Sequence, residues 1–219
     1  MKKRESGFTL IEIAIVLVII GLLLGGVLKG QELITGARVR NIIQQQDGVK
    51  AAYFGFLDRY RALPGDYTTA TTTITGVAAG TGGCGNGNGN GQISPDDSEH
   101  ISAWEHLSKA GFINGSYTCA ATVGPATSPT NPYGKYLDIA YDAAYAGTAA
   151  TRHNLKTGGS VPSEILAEID RKVDDGNAIL GSFRAQTGDD VDSTVANCYA
   201  SGVWKTNPGG TNCGGVTVF

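Results

Sequence analysis

One acidic side chain, Glu12, lies inside an otherwise apolar stretch near the start of the 219-residue chain. The 21 residues from Phe8 to Leu28 are apolar or glycine apart from Thr9 and Glu12, and about 20 apolar residues can cross the hydrocarbon core of a bilayer. An acid inside such a span costs roughly 2.5–3.5 kcal/mol on insertion scales and usually serves a function with a nearby partner. Glu12 is therefore the first candidate functional residue.

The residues that flank this stretch predict its orientation in a membrane. Lys2, Lys3 and Arg4 precede it, and positive charge beside a span stays on the cytoplasmic side. We expect a single-pass inner-membrane protein with a cytoplasmic N-terminus and an extracytoplasmic head. A cleavable secretory signal fits poorly, because it would not carry the acid and would need a small-x-small site where the chain has Gly25-Gly26-Val27-Leu28-Lys29-Gly30.

The hexapeptide Gly7-Phe8-Thr9-Leu10-Ile11-Glu12, behind this basic head, resembles the processing site of type IV pilins and type II secretion pseudopilins. In that family a membrane peptidase cuts after the glycine and methylates the new N-terminal residue. The resemblance implies a cut between Gly7 and Phe8, N-methylation of Phe8, and Glu12 as the fifth mature residue. It also implies partners, which are the prepilin peptidase and methyltransferase, other pilin or pseudopilin subunits, an inner-membrane assembly platform and, before assembly, membrane lipid.

The expected role of Glu12 follows from that cut. The new amine of Phe8 is a cation, and Glu12 of a neighbouring subunit could pair with it inside an apolar filament core. This pairing would offset the desolvation of both charges and would set the axial register between subunits.

A second periodic stretch predicts that the helix continues beyond the membrane. Eight positions follow alternating steps of three and four, and seven of them are apolar, which indicates one buried face. They are Val39, Ile42, Gln46, Val49, Tyr53, Phe56, Tyr60 and Leu63. Pro64-Gly65 then predicts a stop. A free coiled coil is the alternative, but Gly48 and Gly55 would weaken it, so we expect this face to pack on the head.

The helix departs from the family pattern at one place. Pilins commonly carry a proline early in the mature helix, in the neighbourhood that reads Leu28-Lys29-Gly30 here. Glycine also weakens a helix locally. The residues that we expect to supply flexibility instead are Gly21, Gly25, Gly26, Gly30 and Gly36.

The predicted fold is α+β, with a long N-terminal helix, half membrane-spanning and half amphipathic, packed on a small antiparallel sheet with short extra helices. Its predicted parts are a prepilin leader (1–7), a transmembrane or filament-core helix (8–28), an amphipathic continuation (29–63) and a globular extracytoplasmic head (64–219). Within the head we expect helices at 94–110 and 163–173, strands at 112–118, 136–141 and 179–185, and edge or terminal strands at 195–203 and 215–219. The glycine- and asparagine-rich run 82–91 predicts a flexible surface loop.

All four cysteines lie in the predicted extracytoplasmic part, at Cys84, Cys119, Cys198 and Cys213. No C-x-x-C pair is present, which argues against zinc ribbons and thioredoxin-like chemistry. Exported cysteines are expected to be oxidised, and four cysteines allow three connectivities. We favour Cys84–Cys119 with Cys198–Cys213, because local closure is the simplest assignment, and free buried thiols are the alternative. The second pair also resembles the disulfide near the C-terminus of many pilins.

Two clusters of oxygen-bearing side chains on predicted turns are candidate calcium sites. They are Asp174, Asp175 and Asn177, and Asp189, Asp190 and Asp192. Calcium takes hard oxygen ligands of this kind, but neither cluster has the EF-hand spacing. Turn-forming aspartates with solvated charge are the alternative. We therefore expect no resident cofactor, with calcium as the alternative.

Composition and motifs argue against an enzyme and against nucleic-acid binding. The formal net charge is −3, so a basic footprint is lacking. No G-x-S-x-G elbow or H-E-x-x-H helix is present. His100, His106 and His153 are scattered, and we expect His100 and His106 to be ordinary surface or half-buried side chains.

The sequence thus predicts a structural subunit, a pilin or minor pilin, of a type IV pilus-like filament. The head is larger than is usual for major pseudopilins and carries a C-terminal cysteine pair, which favours a pilin. A type II secretion pseudopilin is the first alternative, and a membrane-tethered binding module that never polymerises is the second. The protein is expected in the inner membrane and then in the pilus or pseudopilus.

Overall fold

The computed structural model describes residues 9–80, 84–148, 150–188 and 197–219. The chain forms two compact units, of which the first ends at Arg38 and the second runs over Val39–Phe219. The described elements are α1 (Leu10–Tyr60), α2 (Ala70–Thr73), α3 (Glu99–Lys109), β1 (Asp138–Asp142), β2 (Arg152–Lys156), α4 (Ser163–Val173), β3 (Phe183–Ala185), β4 (Tyr199–Ala200), β5 (Val203–Trp204) and β6 (Gly215–Val218). This α+β architecture confirms the predicted fold class.

The part of α1 that lies in the second unit buries the predicted apolar face. Its buried side chains are Val39, Ile42, Gln46, Val49, Ala52, Tyr53 and Phe56. Tyr60 and Leu63 are half-buried. The helix ends at Tyr60, before the predicted stop, because Arg61 adopts a left-handed φ of 53°. The helical period therefore predicted which side chains enter the core.

Two apolar clusters form the core of the second unit, and α1 contributes to both. Val39 and Ile42 join the first cluster together with side chains of α4 and Trp204. Val49 and Phe56 join the second, where α3 packs against the sheet. One face of α1 thus contributes side chains to both apolar clusters of this unit.

The main sheet has the strand order β1-β2-β6-β3, and all its neighbours are antiparallel. β6 pairs with β2 on one side, with Lys156 opposite Val216, and with β3 on the other, with Ala185 opposite Gly215. The prediction of an edge or terminal strand at 215–219 therefore holds for the terminal strand, since β6 is the last strand along the chain, but not for an edge position. The apolar run in this segment reflects an inner position, where both strand edges are hydrogen-bonded.

Helix α3 begins at Glu99, five residues after the predicted start at Ser94. Residues 95–98 form a turn, and Ser98 has a left-handed φ of 58°. The Glu99 carboxylate accepts the backbone N–H of Ser94 at 3.0 Å. This bond gives the backbone N–H of Ser94 a partner outside the helix. The residues that resemble a helix start, 94–97, therefore lie before and within a turn.

Extended structure is also shorter than predicted at three places. Residues 112–118 form bends and irregular chain, with Gly115 at a φ of 107°. The strand predicted at 179–185 is limited to β3, because Gly181 turns the chain at a φ of 69°. In the described part of 195–203, Ser201 and Gly202 both have positive φ and reverse the chain between β4 and β5. Two such residues make a tight hairpin. Residues 195 and 196 lie outside the described part.

The described residues 84–91 of the glycine- and asparagine-rich run form a surface loop anchored at Cys84, as predicted, and hydrogen bonds also tie its backbone to the head. The Asp66 carboxylate accepts the N–H groups of Gly89 at 2.6 Å, Asn90 at 3.1 Å and Gly91 at 2.8 Å. Glu99 accepts the N–H of Asn88 at 3.0 Å. Two buried carboxylates therefore replace the backbone partners that a strand or helix would supply.

Two disulfides close the head, and they are the pairings that the sequence favours. Cys84 is bonded to Cys119, with the Cα atoms 5.5 Å apart. Cys198 is bonded to Cys213, with the Cα atoms 5.7 Å apart. The first disulfide anchors the loop that Asp66 holds, and the second joins the segment before β4 to the segment before β6.

Candidate functional site

Among the residues predicted to act in processing and assembly, Glu12 lies in the described part of the chain, whereas Gly7 and Phe8 lie outside it. Thr9 immediately precedes α1, and its carbonyl accepts the N–H of Ile13 at 3.4 Å. The Glu12 carboxylate accepts the backbone N–H of Thr9 at 2.8 Å and the Thr9 hydroxyl at 2.7 Å. The N–H of Glu12 in turn donates to the Thr9 hydroxyl oxygen at 3.3 Å.

This reciprocal arrangement is a capping box, in which an N-cap Thr and a Glu three residues later satisfy each other's orphan donors. The sequence contains the signal for it, since Thr9-Leu10-Ile11-Glu12 matches the T-x-x-E pattern, whereas the charge of Glu12 alone does not indicate a cap. Thr9 lies after the predicted cut, so both members of the box remain in the mature chain. The bonds described for Glu12 use only Oε2, which leaves Oε1 available as an acceptor.

The first-unit part of α1 presents an apolar surface on all sides. Its large aliphatic side chains are 45% to 91% exposed from Leu10 to Leu28. The helix contains a stretch long and apolar enough to cross a membrane, and none of that stretch is buried within the chain. Lys29 and Glu32 follow it and form an exposed ion pair at 2.7 Å. A surface of this size requires lipid or other helices around it.

The glycines of this segment do not interrupt α1, which is helical through all of them. They are Gly21, Gly25, Gly26, Gly30 and Gly36. A Cβ atom added at any of these positions would meet no other atom within 4 Å. Packing within the described chain therefore does not require glycine at these positions, and the expected flexibility stays a prediction.

The acidic turn after α4 brings Asp170, Asp174 and Asp175 together, with one oxygen of each within 4.8 Å of the others. Asp174 Oδ2 accepts the N–H groups of Ser182 and, at 2.8 Å, Phe183. Asp170 accepts the indole N–H of Trp204 at 2.7 Å, and burial raises the pKa of its carboxyl. The carboxylates of Asp170 and Asp174 thus already serve as hydrogen-bond acceptors that link the turn to β3 and to Trp204.

Of the other predicted calcium ligands, Asn177 lies in the described part of the chain. Asn177 Oδ1 accepts the N–H of Ile179 at 3.2 Å and serves its own turn. Asp189, Asp190 and Asp192 lie outside the described residues. Asp170, by contrast, was not singled out from the sequence, because it lies on the buried side of α4 among apolar residues.

His106 is fully buried, so the expectation of a surface or half-buried side chain is wrong for it. Its Nδ1 accepts the N–H of Gly65 at 2.9 Å, and its Nε2 lies 2.7 Å from the carbonyl oxygen of Gly85. Burial lowers the pKa of His106 to about 4, so the ring is neutral near pH 7. The neutral imidazole joins two loops, which is a structural role.

A polar cleft of about 350 Å³ lies in the second unit beside β1 and β2, with His100, Asp138, Asp142 and Lys156 among its lining residues. The Lys156 ammonium contacts Asp138 at 3.0 Å and Asp142 at 2.6 Å. Burial alone would lower the pKa of Lys156, but the two carboxylates outweigh it and the pKa is raised. The cleft is therefore charged and internally paired.

Comparison with known proteins bears on the N-terminal part of the chain. Residues 2–28 match the family model described as the prokaryotic N-terminal methylation motif. This motif is the signature of type IV pilins and pseudopilins, so the resemblance is confirmed. It implies processing by a prepilin peptidase and assembly with other pilin subunits, and it fits a membrane-anchored structural protein. No curated protein and no solved structure matches the chain.

Proposed function

We propose that this chain, which carries the signature of type IV pilins and pseudopilins, is a pilin or minor pilin of a type IV pilus-like filament. The observation that supports the proposal is the methylation motif at residues 2–28, which coincides with a helix whose apolar surface is unburied. The motif supplies a processing site, and the helix supplies the surface through which subunits associate. The function is structural, and the chain is the substrate of an enzyme.

The apolar surface of α1 would serve in two environments. Before assembly lipid covers it, and after assembly the helices of neighbouring subunits cover it. Transfer from lipid to a helix bundle brings little hydrophobic gain, because lipid tails are as apolar as leucine. Packing and polar contacts between helices must then favour assembly, and an assembly platform would drive subunit addition.

Glu12 is the polar group that this proposal requires. In the single subunit the capping box gives its carboxylate two donors, which lowers the cost of an acid in the apolar span. Oε1 can accept a further bond from the Phe8 amine of a neighbouring subunit without disruption of the box. The same carboxylate thereby stabilises the helix start in the membrane and aligns neighbouring subunits in the filament.

Two variants test the charge-pairing role of Glu12. Glu12→Gln keeps an acceptor for Thr9 but loses the charge, whereas Glu12→Ala loses both. We expect both variants to insert and to be processed, and both to lower the filament yield in sheared surface fractions. A wild-type filament yield from Glu12→Gln would contradict the charge-pairing role.

Mass spectrometry of the N-terminus tests the proposal as a whole. The expected mature chain begins at Phe8 and carries one methyl group on its amine. A chain that still begins with Met1, or one that begins after residue 26, would overturn the proposal.

Electron microscopy of the surface fraction distinguishes the two filament systems. Long surface fibres that contain this subunit would support a pilus. A short periplasmic assembly would instead support the type II secretion pseudopilin, which shares the processing and the helix.

A second candidate function, a tethered binding module that never polymerises, is favoured by the cleft at Asp138, Asp142 and Lys156. Its volume of about 350 Å³ lies within the usual range of ligand clefts. This function predicts a processed or unprocessed chain that crosslinks to no other subunit in the membrane. Disulfide crosslinking through a cysteine placed at Leu17, on the exposed apolar surface, separates the candidates, since a filament subunit would give a crosslinked dimer through the one new thiol of each chain.

We also propose that the acidic turn of Asp170, Asp174 and Asp175 is structural, with no resident metal. Calcium needs six to eight oxygen ligands, and Asp170 and Asp174 already accept backbone or indole N–H groups.

A further inference from the structure

Four Asn-Gly pairs in the chain can undergo the same spontaneous covalent change. They are Asn86-Gly87, Asn88-Gly89, Asn90-Gly91 and Asn114-Gly115. In such a pair the glycine amide nitrogen loses its proton to solvent base and attacks Cγ of the asparagine side chain. The new N–C bond closes a succinimide, and the side-chain nitrogen takes up a proton and leaves as ammonia. Water then opens the ring to aspartate or isoaspartate. Glycine favours the attack because it has no Cβ to hinder it.

Exposure alone would place all four pairs at equal risk, since the side chains of Asn86, Asn88, Asn90 and Asn114 are all exposed. Solvent base and water therefore reach each of them. Any difference in reactivity must come from the glycine nitrogen that acts as nucleophile or from restraint of the asparagine side chain that it attacks.

Three of the four glycine nitrogens are engaged. Gly89 N–H donates to Asp66 Oδ1 at 2.6 Å, and Gly91 N–H donates to Asp66 Oδ2 at 2.8 Å. Gly87 N–H donates to the carbonyl oxygen of Tyr67 at 3.0 Å. A carboxylate beside an N–H group opposes the loss of its proton, because a second negative charge would form next to the first. Asp66 therefore acts on the first step of the reaction.

The asparagine side chains in this run are restrained as well. Asn88 Oδ1 accepts the N–H of Asn90 at 3.0 Å, and Asn90 Oδ1 accepts the N–H of Gln92 at 2.8 Å. These are Asx turns, which fix the side-chain torsion. Cγ cannot approach the glycine nitrogen without loss of such a bond.

Asn114-Gly115 lacks this protection. Both residues are exposed, and Gly115 lies in an irregular segment at a φ of 107°. Among the described residues no hydrogen bond from its N–H is found. The same chemistry is thus left open at this pair in the folded chain.

We propose that Asn114 is a site of spontaneous deamidation in the folded head and that the Asp66 carboxylate protects Asn88 and Asn90 from the same reaction. The glycines of the run are needed by the fold, since a Cβ at Gly87 would lie 2.3 Å from Cα of Asp66 and Gly89 has a φ of 75°. The loop therefore has to keep glycine at these positions, and the carboxylate that shapes the loop also protects the asparagines that precede Gly89 and Gly91.

The first experiment follows the full-length chain, purified in detergent and incubated at mildly alkaline pH. Peptide mapping quantifies aspartate and isoaspartate at each of the four positions over time. We expect conversion at Asn114 first, and conversion at Asn88 and Asn90 slower by roughly tenfold to a hundredfold, as loss of a hydrogen bond to a charged group would imply. Equal rates at Asn114, Asn88 and Asn90 in the folded chain would overturn the proposal.

The second experiment assigns the protection to Asp66. Asp66→Asn should raise conversion at Asn88 and Asn90 towards the rate of Asn114, with a smaller change at Asn86, whose glycine is held by Tyr67. Asp96→Asn is the matched control, because it removes one exposed charge nearby without contact to these N–H groups. Unchanged rates in Asp66→Asn, or an equal rise at all three loop positions, would overturn the assignment to this carboxylate.

Discussion

Replacement of Lys156 by methionine should destabilise the head, because the Lys156 ammonium forms ion pairs with both Asp138 and Asp142. The ammonium lies 3.0 Å from Asp138 Oδ2 and 2.6 Å from Asp142 Oδ2. Methionine retains most of the apolar stem but leaves two carboxylates beside one another on β1. Asp142 still accepts hydrogen bonds from Asn154 and Ala144 in the variant. The variant therefore loses the positive charge that balances the two carboxylates, while Asp142 keeps other hydrogen-bond donors.

The size of the effect follows from burial. Removal of one partner of a fully buried ion pair costs about 3–5 kcal/mol. The three side chains are 11%, 26% and 22% exposed, so solvent screens part of the repulsion. We expect Lys156→Met to lower the free energy of unfolding by about 2–3 kcal/mol near pH 7.

The stability difference between wild type and Lys156→Met should also depend on pH, which gives a second test. Burial would raise the pKa of Asp142, but the bond and charge of Lys156 outweigh it and the folded pKa is lowered. A lowered carboxyl pKa contributes stability that is present above the unfolded pKa and is lost as pH falls through the folded pKa. The difference between wild type and Lys156→Met should therefore shrink in acid, where Asp142 is protonated in both.

Denaturation of the full chain in detergent measures this effect, with fluorescence of the buried Trp104 and Trp204 as a probe of the head. Lys172→Met is the matched control, because its pair with Glu168 is exposed and should contribute less than about 1 kcal/mol. A change below about 1 kcal/mol in Lys156→Met, or a difference that grows in acid, would refute the reasoning.

Three further predictions concern other groups of the head. The pKa of His106 in the folded chain is about 4, below its ordinary value of 6.5. The free energy of unfolding should therefore fall by about 3 kcal/mol as the pH drops from 6.5 towards 4. In His106→Gln, denaturation at a series of pH values should show a weaker dependence of this free energy on pH. Loss of the Cys198–Cys213 disulfide in a double serine variant should cost about 3 kcal/mol, since it closes 15 residues, and should lower Tm in a thermal melt. Calcium should leave Tm unchanged, because Oδ2 of Asp174 already accepts the N–H groups of Ser182 and Phe183.

Each of these three has a clear contrary outcome. An acid slope that persists in His106→Gln would assign it to carboxylates elsewhere in the head. A Tm in the serine variant equal to that of the oxidised chain would mean that the second disulfide adds no stability. A rise in Tm with calcium that is absent for magnesium would indicate a metal site at the acidic turn.

Periodicity and local cysteine spacing predicted much of this fold. The face from Val39 to Phe56 and the helix at 163–173 follow from apolar spacing alone, because burial on one side imposes the helical period. Both signals are local. A sequence window of about 11–18 residues contains all the information that such a segment needs.

The failures occur where a distant group supplies the partner. The run 84–91 appeared flexible because its hydrogen-bond acceptors, Asp66 and Glu99, lie outside any local pattern. The inner position of β6 was not predicted, because sequence order does not state which strands will flank a strand. Glu12 is a different case, since its capping partner Thr9 is only three residues away and the T-x-x-E pattern is visible in the sequence.

The inner position of β6 also bears on how the head folds. β6 pairs with β2 on one side and with β3 on the other, so the sheet is incomplete until residues 215–218 lie between these two strands. Until then, the buried face of α1 from Val39 onward has no finished surface to cover it. The sheet and the cover of α1 are therefore completed together, and before that step the unpaired edges of β2 and β3 are open to pairing with other chains.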